Sequence, residues 1–235
     1  MLDLDQLQVW SKHVTTCYPQ EACALVIDGK VLPVSNTHTD PTNHFRIDPV
    51  ELAQHRDYQA VLHSHIATRG REDSRTPSYR DQVSQIKSNK AWGISSTDGQ
   101  SVSAVLWFGD AVPIQPLEGR QYVHGVYDCW ALVRDYYRLQ GKAVNNYPRD
   151  NDWWDHGESL ITDLTLKDEG FNPIQLSELQ IGDLLTYKIN SPVTNHFAVY
   201  TAQNEILHQL SFRLSGKDSF SKWRKFLTGA YRLTR

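Results

Sequence analysis

The stretch Asp128-Cys129-Trp130-Ala131-Leu132-Val133-Arg134-Asp135-Tyr136-Tyr137-Arg138-Leu139-Gln140-Gly141 decides how the second half of this 235-residue chain is read. Aspartate is a residue type that caps helices and glycine one that ends them; between the two, apolar positions recur at helical spacing. The spacing predicts an amphipathic helix over 129–140. Downstream, 184–189, 197–201 and 205–210 read as strands, the first entered through the turn Gly182-Asp183. A helix followed by an antiparallel sheet is an α+β arrangement.

Upstream, Val112-Pro113-Ile114-Gln115-Pro116-Leu117-Glu118-Gly119 holds two prolines and a glycine between a strand-like and a helix-like run. The expected organisation is a first domain over 1–112, a linker over 113–119 and a second domain over 120–235. The first half opens with Leu4, Leu7, Trp10 and Val14 on one helical face. Asp28-Gly29 predicts a hairpin between strands over 22–27 and 30–34. A strand is expected over 59–65, a helix from Ser78 to about Lys87, and a second turn, Asp98-Gly99, between strands around 93–96 and 102–108. The first half is therefore read as α/β or α+β around one main sheet.

The chain is 40% hydrophobic and 22% charged, which fits a folded protein, and its net charge of −3 argues against a nucleic-acid partner. No apolar run approaches the roughly 18–20 residues of a membrane span, so no stable membrane insertion is expected. Asp3 and Asp5 interrupt the start of the chain where a secretory leader is basic and then apolar, so no export signal of its own is expected. Cys17, Cys23 and Cys129 are an odd number in a large chain; a reducing compartment is expected, without a disulfide framework. The end from Arg213 carries Lys217, Lys222, Arg224, Lys225, Arg232 and Arg235 against the single acid Asp218. It reads either as a solvated basic face or as a contact for an acidic partner.

Two groups of residues carry chemistry. His63-Ser64-His65 lies on a strand, so alternation turns both imidazoles to one face. Ser78 and Asp81 lie one helical turn apart. Two neutral imidazoles and a carboxylate make a three-ligand zinc set with a fourth position for water, whose pKa the metal lowers toward neutrality. Glu21, at the start of a neighbouring strand, is the acid placed to move the proton, and Ser78 is placed to support an oxyanion. The alternative for Ser78 and Asp81 is a helix cap with an acid in the first turn.

The second group is Cys129, His196 and His208. Cys129 sits at a helix N-terminus, where unpaired N–H groups favour thiolate. His196 opens a strand and serves as the imidazole partner; His208, on the next strand, orients it. The alternatives are a small buried hydrophobe at Cys129 and hydrogen-bonded core histidines.

Residues 1–110 resemble the JAB/MPN metalloprotease fold, whose JAMM signature is a glutamate, then His-x-His, then Ser-x-x-Asp. The resemblance is carried by Tyr18-Pro19-Gln20-Glu21-Ala22-Cys23, Asn43-His44-Phe45-Arg46-Ile47-Asp48 and Val61-Leu62-His63-Ser64-His65. It implies Zn2+ held by His63, His65 and Asp81, with Glu21 as acid/base and Ser78 as oxyanion support. Ile66 stands where the family commonly has proline, and the segment Ala67–Pro77 is longer and more charged than usual.

Residues 120–235 resemble an NlpC-type peptidoglycan peptidase domain of papain-like fold. Tyr127-Asp128-Cys129 and its helix, Leu179-Gln180-Ile181-Gly182-Asp183-Leu184, His196 and His208 carry the likeness; Trp130-Ala131 replaces the usual Ser-Gly. This implies a cysteine peptidase without a cofactor. The two domains in this order, with Leu207–Ser215 and Trp223-Arg224, resemble bacteriophage tail-assembly proteins over nearly the whole chain. Tail-tip or hub proteins are the implied partners and peptidoglycan stem peptides the implied substrate. Synthesis is then expected in the host cytoplasm, followed by a place at the virion tail tip or a passing role in assembly, with catalysis at the host cell wall or periplasm. A structural tail component with little catalysis, or a maturation protease acting on tail proteins, fits the same resemblance.

Overall fold

Asp28 and Gly29 both take positive φ, +49° and +74°, which a two-residue hairpin turn matched to strand twist requires. They join β1 (Cys23–Ile27) to β2 (Lys30–Val34). The computed structural model describes residues 2–67, 73–157 and 160–234; Thr68–Glu72 of the charged segment and Arg235 of the basic end lie outside the described residues. The chain divides into two compact units, Met1–Pro113 and Ile114–Arg235, both of mixed α and β structure.

In the first unit, α1 (Leu4–Cys17) and α2 (Pro49–Gln54) accompany a five-stranded sheet ordered β2-β1-β3-β4-β5, with β3 (Ala60–Ile66), β4 (Ala91–Thr97) and β5 (Leu106–Phe108). β3 and β4 are parallel and the other pairs antiparallel. A parallel pair needs a crossover, and α3 (Tyr79–Ser88) lies in it. Trp10 and Val14 of α1 pack with Ala22, Ala24, Val26 and Leu62 on one sheet face, and Trp10 Nε1–H donates to Ser95 Oγ at 3.1 Å. His63, opposite Cys23 in the register, belongs to the other face by alternation. Leu4 does not join the core: it is 78% exposed, and of the four residues on that helical face only Trp10 and Val14 are fully buried. The strand expected over 102–108 is confined to β5; Val102 contributes a single bridge to Thr97.

The second unit is a six-stranded antiparallel sheet ordered β10-β9-β8-β7-β11-β6. Its strands are β6 (Phe171–Pro173), β7 (Leu184–Tyr187), β8 (His196–Ala202), β9 (Glu205–His208), β10 (Gly216–Ser219) and β11 (Leu227–Leu233). Its helices are α4 (Cys129–Arg138), α5 (Asp163–Asp168) and the one-turn α6 (Phe220–Trp223). α4 ends two residues before the expected Gln140: Gly141 turns left-handed (φ +74°) and Lys142 N–H returns to the Tyr137 carbonyl. The first and third expected strands are likewise shorter, ending at Tyr187 and His208.

Trp130, Val133 and Tyr137 of α4 meet Leu184, Phe197, Val199 and Leu233 in the core between helix and sheet. Leu185, Tyr187, Ala198, Ile206 and Ala230 form the opposite face, covered by Trp223 and Phe226. Alternation puts His196 and His208 on this second face with Ala198 and Ile206.

Candidate active sites

Ser78 caps α3 and forms a reciprocal box with Asp81: its Oγ accepts the Asp81 N–H at 3.2 Å, and Asp81 Oδ2 accepts the Ser78 N–H at 2.8 Å. The Ser78 hydroxyl donates to the same Oδ2 at 2.7 Å. This fixes the carboxylate against β3. His63 Nε2 lies 3.5 Å from Asp81 Oδ1, His65 Nε2 lies 3.6 Å from Oδ2, and the two imidazole nitrogens are 3.1 Å apart. His63, His65 and Asp81 thus converge, and they are the one such group of metal-type side chains among the described residues.

The donor set fits a divalent cation. Nitrogen and oxygen ligands about 2.0–2.1 Å from zinc at tetrahedral angles stand about 3.3 Å from one another, close to the three spacings observed. His65 Nδ1 lies 2.7 Å from the Ser74 carbonyl, an acceptor, so the ring proton belongs there and the Nε2 lone pair faces the cluster. Among the described residues His63 Nδ1 is buried without a hydrogen-bond partner; its ring is steadied by Phe45, stacked at 4.4 Å and 21°, and by the edge of Trp92.

Burial opposes ionisation of Asp81, but the two imidazoles outweigh it and hold the carboxyl well below the usual carboxylate range. Glu21 is 6% exposed. Burial pushes its carboxyl up to about 7 against the pull of His65, a value suited to proton transfer near neutrality. Ala22 N–H donates to Ser64 Oγ at 2.9 Å, which ties the backbone beside Glu21 to the strand bearing both histidines.

In the second unit Asp128 caps α4 through the Ala131 N–H at 3.0 Å and accepts the Gly125 N–H at 2.7 Å. Arg149 grips both its oxygens, Nε at 2.7 Å and Nη2 at 2.8 Å, with each residue 3% exposed. Burial disfavours the Asp128 charge, but Arg149 prevails and the carboxyl is held at about 2. Cys129 follows as the first helical residue, partly exposed. Its thiol is not the thiolate expected of a helix N-terminus. Burial, then the Asp128 charge, push it up to about 12 against the Phe197 and Trp130 amides and Arg149. The capping carboxylate has already answered the positive end of the helix.

The contact with the Phe197 amide sets the Cys129 sulfur beside the residue that follows His196. His196 Nε2 meets His208 Nδ1 at 3.0 Å. Burial holds His196 well below its ordinary value and His208 down at about 4, so both imidazoles are neutral at neutral pH. Trp223 packs against both rings, with centroids 5.7 and 4.8 Å away. Sequence reasoning did not single out Arg149, and it gave Trp223 and Phe45 no role at the sites beyond their places in the quoted motifs. Arg149 lies in a polar stretch with no periodicity, and nothing local marks its partner 21 residues upstream.

The model of the NlpC/P60 family matches residues 119–232. The chain is also similar to tail tip assembly protein K of two phages. The protein of Escherichia phage lambda is 38% identical over 110 residues, 46% of this chain and 55% of the phage protein. That of Escherichia phage N15 is 28% identical over 214 residues, 86% and 83% of the two chains. The lambda match thus spans about half of that relative's length. Among solved structures, a lipoprotein-like NLP/P60 family protein of Staphylococcus aureus aligns over 51% of this chain and 38% of its own, at 22% identity and a TM-score of 0.38.

Proposed function

We propose that this chain is a phage tail-tip hydrolase whose second unit cleaves amide bonds in peptidoglycan stem peptides. One observation carries the reading: the Cys129 thiol lies against the amide next to His196, and His196 is hydrogen-bonded to His208. With His196 Nε2 committed to His208, Nδ1 is the nitrogen left for the thiol proton. Because thiol and imidazole are both neutral at rest, that proton moves as sulfur attacks the carbonyl carbon. The imidazolium then protonates the departing amine, leaving a thioester, and water deprotonated by His196 releases the acid and restores the thiol. The similarity to the N15 tail tip assembly protein over most of both chains supports delivery by the particle, with tail-hub proteins as partners. Among the described residues no helix is long and apolar enough to cross a membrane.

The first unit is read as a JAB/MPN-like zinc peptidase site. His63, His65 and Asp81 would hold the ion, which when bound supplies a water acidic enough to ionise near neutral pH. Glu21 takes and returns the proton, and Ser78, whose hydroxyl donates to Asp81 Oδ2, keeps that ligand in place.

Purified peptidoglycan incubated with the chain under reducing conditions should release free amino groups, and Cys129→Ala should abolish the release. No release by the wild type sinks the cell-wall reading. In that case, infectivity of phage carrying Cys129→Ala would leave an assembly role. Unchanged tail-protein masses in Glu21→Gln phage would exclude maturation by the first unit.

A further inference from the structure

Behind the two histidines stands a third group. His208 Nε2 faces the carboxylate of Asp218 on β10, 4.0 Å from Oδ2. That carboxylate is held from two sides: Oδ2 accepts the Trp223 indole N–H at 3.1 Å, and Oδ1 accepts the Ser219 amide at 2.9 Å. The Trp223 ring in turn stands edge-on to His208 (83°) and tilted over His196 (36°). One side chain therefore sets both the charge beside the outer imidazole and the aromatic wall over the pair.

A neutral imidazole carries one proton, and its position decides what the other nitrogen can do. The His208 nitrogen nearer a carboxylate is the one on which a proton is favoured. At 4.0 Å the carboxylate acts as a fixed charge on an N–H dipole rather than through a hydrogen bond. With the proton on Nε2, His208 Nδ1 is an acceptor, and the 3.0 Å contact then requires a proton on His196 Nε2. His196 Nδ1 is left with its lone pair.

We propose that Asp218 is a positioning residue: its carboxylate, anchored by Trp223, sets the proton on Nε2 of His208 and so keeps Nδ1 of His196 unprotonated for the Cys129 thiol. The assignment rests on the reading of Cys129 and His196 as the reacting pair, but the proton positions can be measured without any substrate. The charged and titratable groups around His208 are Asp218 from β10, His196 from β8, Arg213 from the loop after β9 and Lys222 from α6. Arg213 and Lys222 lie 3.9 and 3.7 Å from Asp218 oxygens. The carboxylate raises the proton affinity of His208 and Arg213 lowers it.

The test uses the full chain labelled with ¹⁵N, with imidazole nitrogens followed by NMR at neutral pH, in wild type, Asp218→Asn and Trp223→Phe. In the wild type both histidines should carry the proton on Nε2. Asp218→Asn, which removes the fixed charge beside Nε2, should shift the His208 proton toward Nδ1. On soluble muropeptides its kcat should fall about 10–100-fold, the range that losing an outer partner costs a metal-bound imidazole, with KM unchanged. Its acid limb should move to lower pH, because Arg213 and Lys222 remain without the carboxylate. Trp223→Phe should give a smaller fall in the same direction. A His208 proton on Nδ1 in the wild type overturns the assignment, whether or not the variants fold. So does a folded Asp218→Asn with unchanged proton positions and pH profile. A wild type that cleaves nothing but carries both protons on Nε2 removes the hydrolase reading and upholds this one.

Discussion

Replacing Arg149 with methionine tests the arrangement at the head of α4. In the folded chain Arg149 gives two hydrogen bonds to Asp128, at 2.7 and 2.8 Å, with both partners almost wholly buried. Removing one member of such a pair leaves a buried carboxylate without a counter-charge, at a cost of about 3–5 kcal/mol. Methionine fills most of the volume, so the cost is electrostatic more than steric. At about 1.4 kcal/mol per tenfold, amides of Leu132 and Val133 that exchange through opening of the second unit should exchange roughly 10²–10⁴-fold faster. Asp128→Asn in the Arg149→Met background should recover about 1–3 kcal/mol, since the stranded charge is gone. The thiol gives an independent sign: Arg149 lowers the Cys129 pKa and Asp128 raises it. Alkylation of Cys129 at mildly alkaline pH should therefore slow in Arg149→Met and quicken in Asp128→Asn. An Arg149→Met chain whose helix amides exchange less than tenfold faster, with the two substitutions strictly additive, refutes the reasoning.

Zinc should bind the purified chain with one equivalent lost on His65→Ala, and at 100 times its Kd it should stabilise the first unit by about 2.7 kcal/mol; substoichiometric metal with an unmoved melting curve counts against the site. His208 is buried neutral, its pKa moved from 6.5 to about 4. Its contribution is therefore present above about pH 6.5 and lost as pH falls toward 4, about 3 kcal/mol by the spacing of the two values. Urea unfolding of the second unit between pH 7 and 4 should show this loss, and His208→Gln should flatten it. Gly93→Ala puts a methyl 2.6 Å from both Leu62 Cδ2 and Val105 Cγ1; overpacking should cost about 1–3 kcal/mol in thermal unfolding of the first unit.

The elements legible in the sequence are those whose causes are local. Asp28-Gly29 names its turn because two adjacent residues must take positive φ, and Asp128 and Gly141 bracket α4 because cap and stop chemistry sit on the helix itself. His63 and His65 share a face through strand alternation alone. β10 was not legible: Gly216-Lys217-Asp218-Ser219 has a turn's composition and becomes a strand only by pairing with β9. β11 was missed for a related reason. Its alternation is broken by Gly229, where the register shifts, and by Arg232, which is drawn to Asp183 at 2.8 Å. Arg149 took no part in the sequence reading, and Asp218 entered it only as the single acid of the basic end, because their partners are set by tertiary structure.

The ionisation states show why position on a helix is too coarse a guide. Both units bring a reactive group to a helix N-terminus against a histidine-bearing strand: Asp81 is the third residue of α3, and Cys129 the first of α4. The helix dipole favours an anion at either place, yet Asp81 is driven toward its charged form and Cys129 away from it. The difference lies in which atom meets the cap. Asp81 is itself the box partner, taking the Ser78 N–H and O–H onto its own oxygen while two imidazoles approach from β3. Cys129 comes one place after a carboxylate that has already taken the Ala131 and Gly125 amides and Arg149. The same cap chemistry thus yields a ligand ionised in advance, ready for a cation, and a thiol that stays protonated until a carbonyl is in place. On this account, exchanging the charge at position 128 should change thiol reactivity more than any lengthening or fraying of α4, because burial and then the carboxylate, not the helix, govern the sulfur.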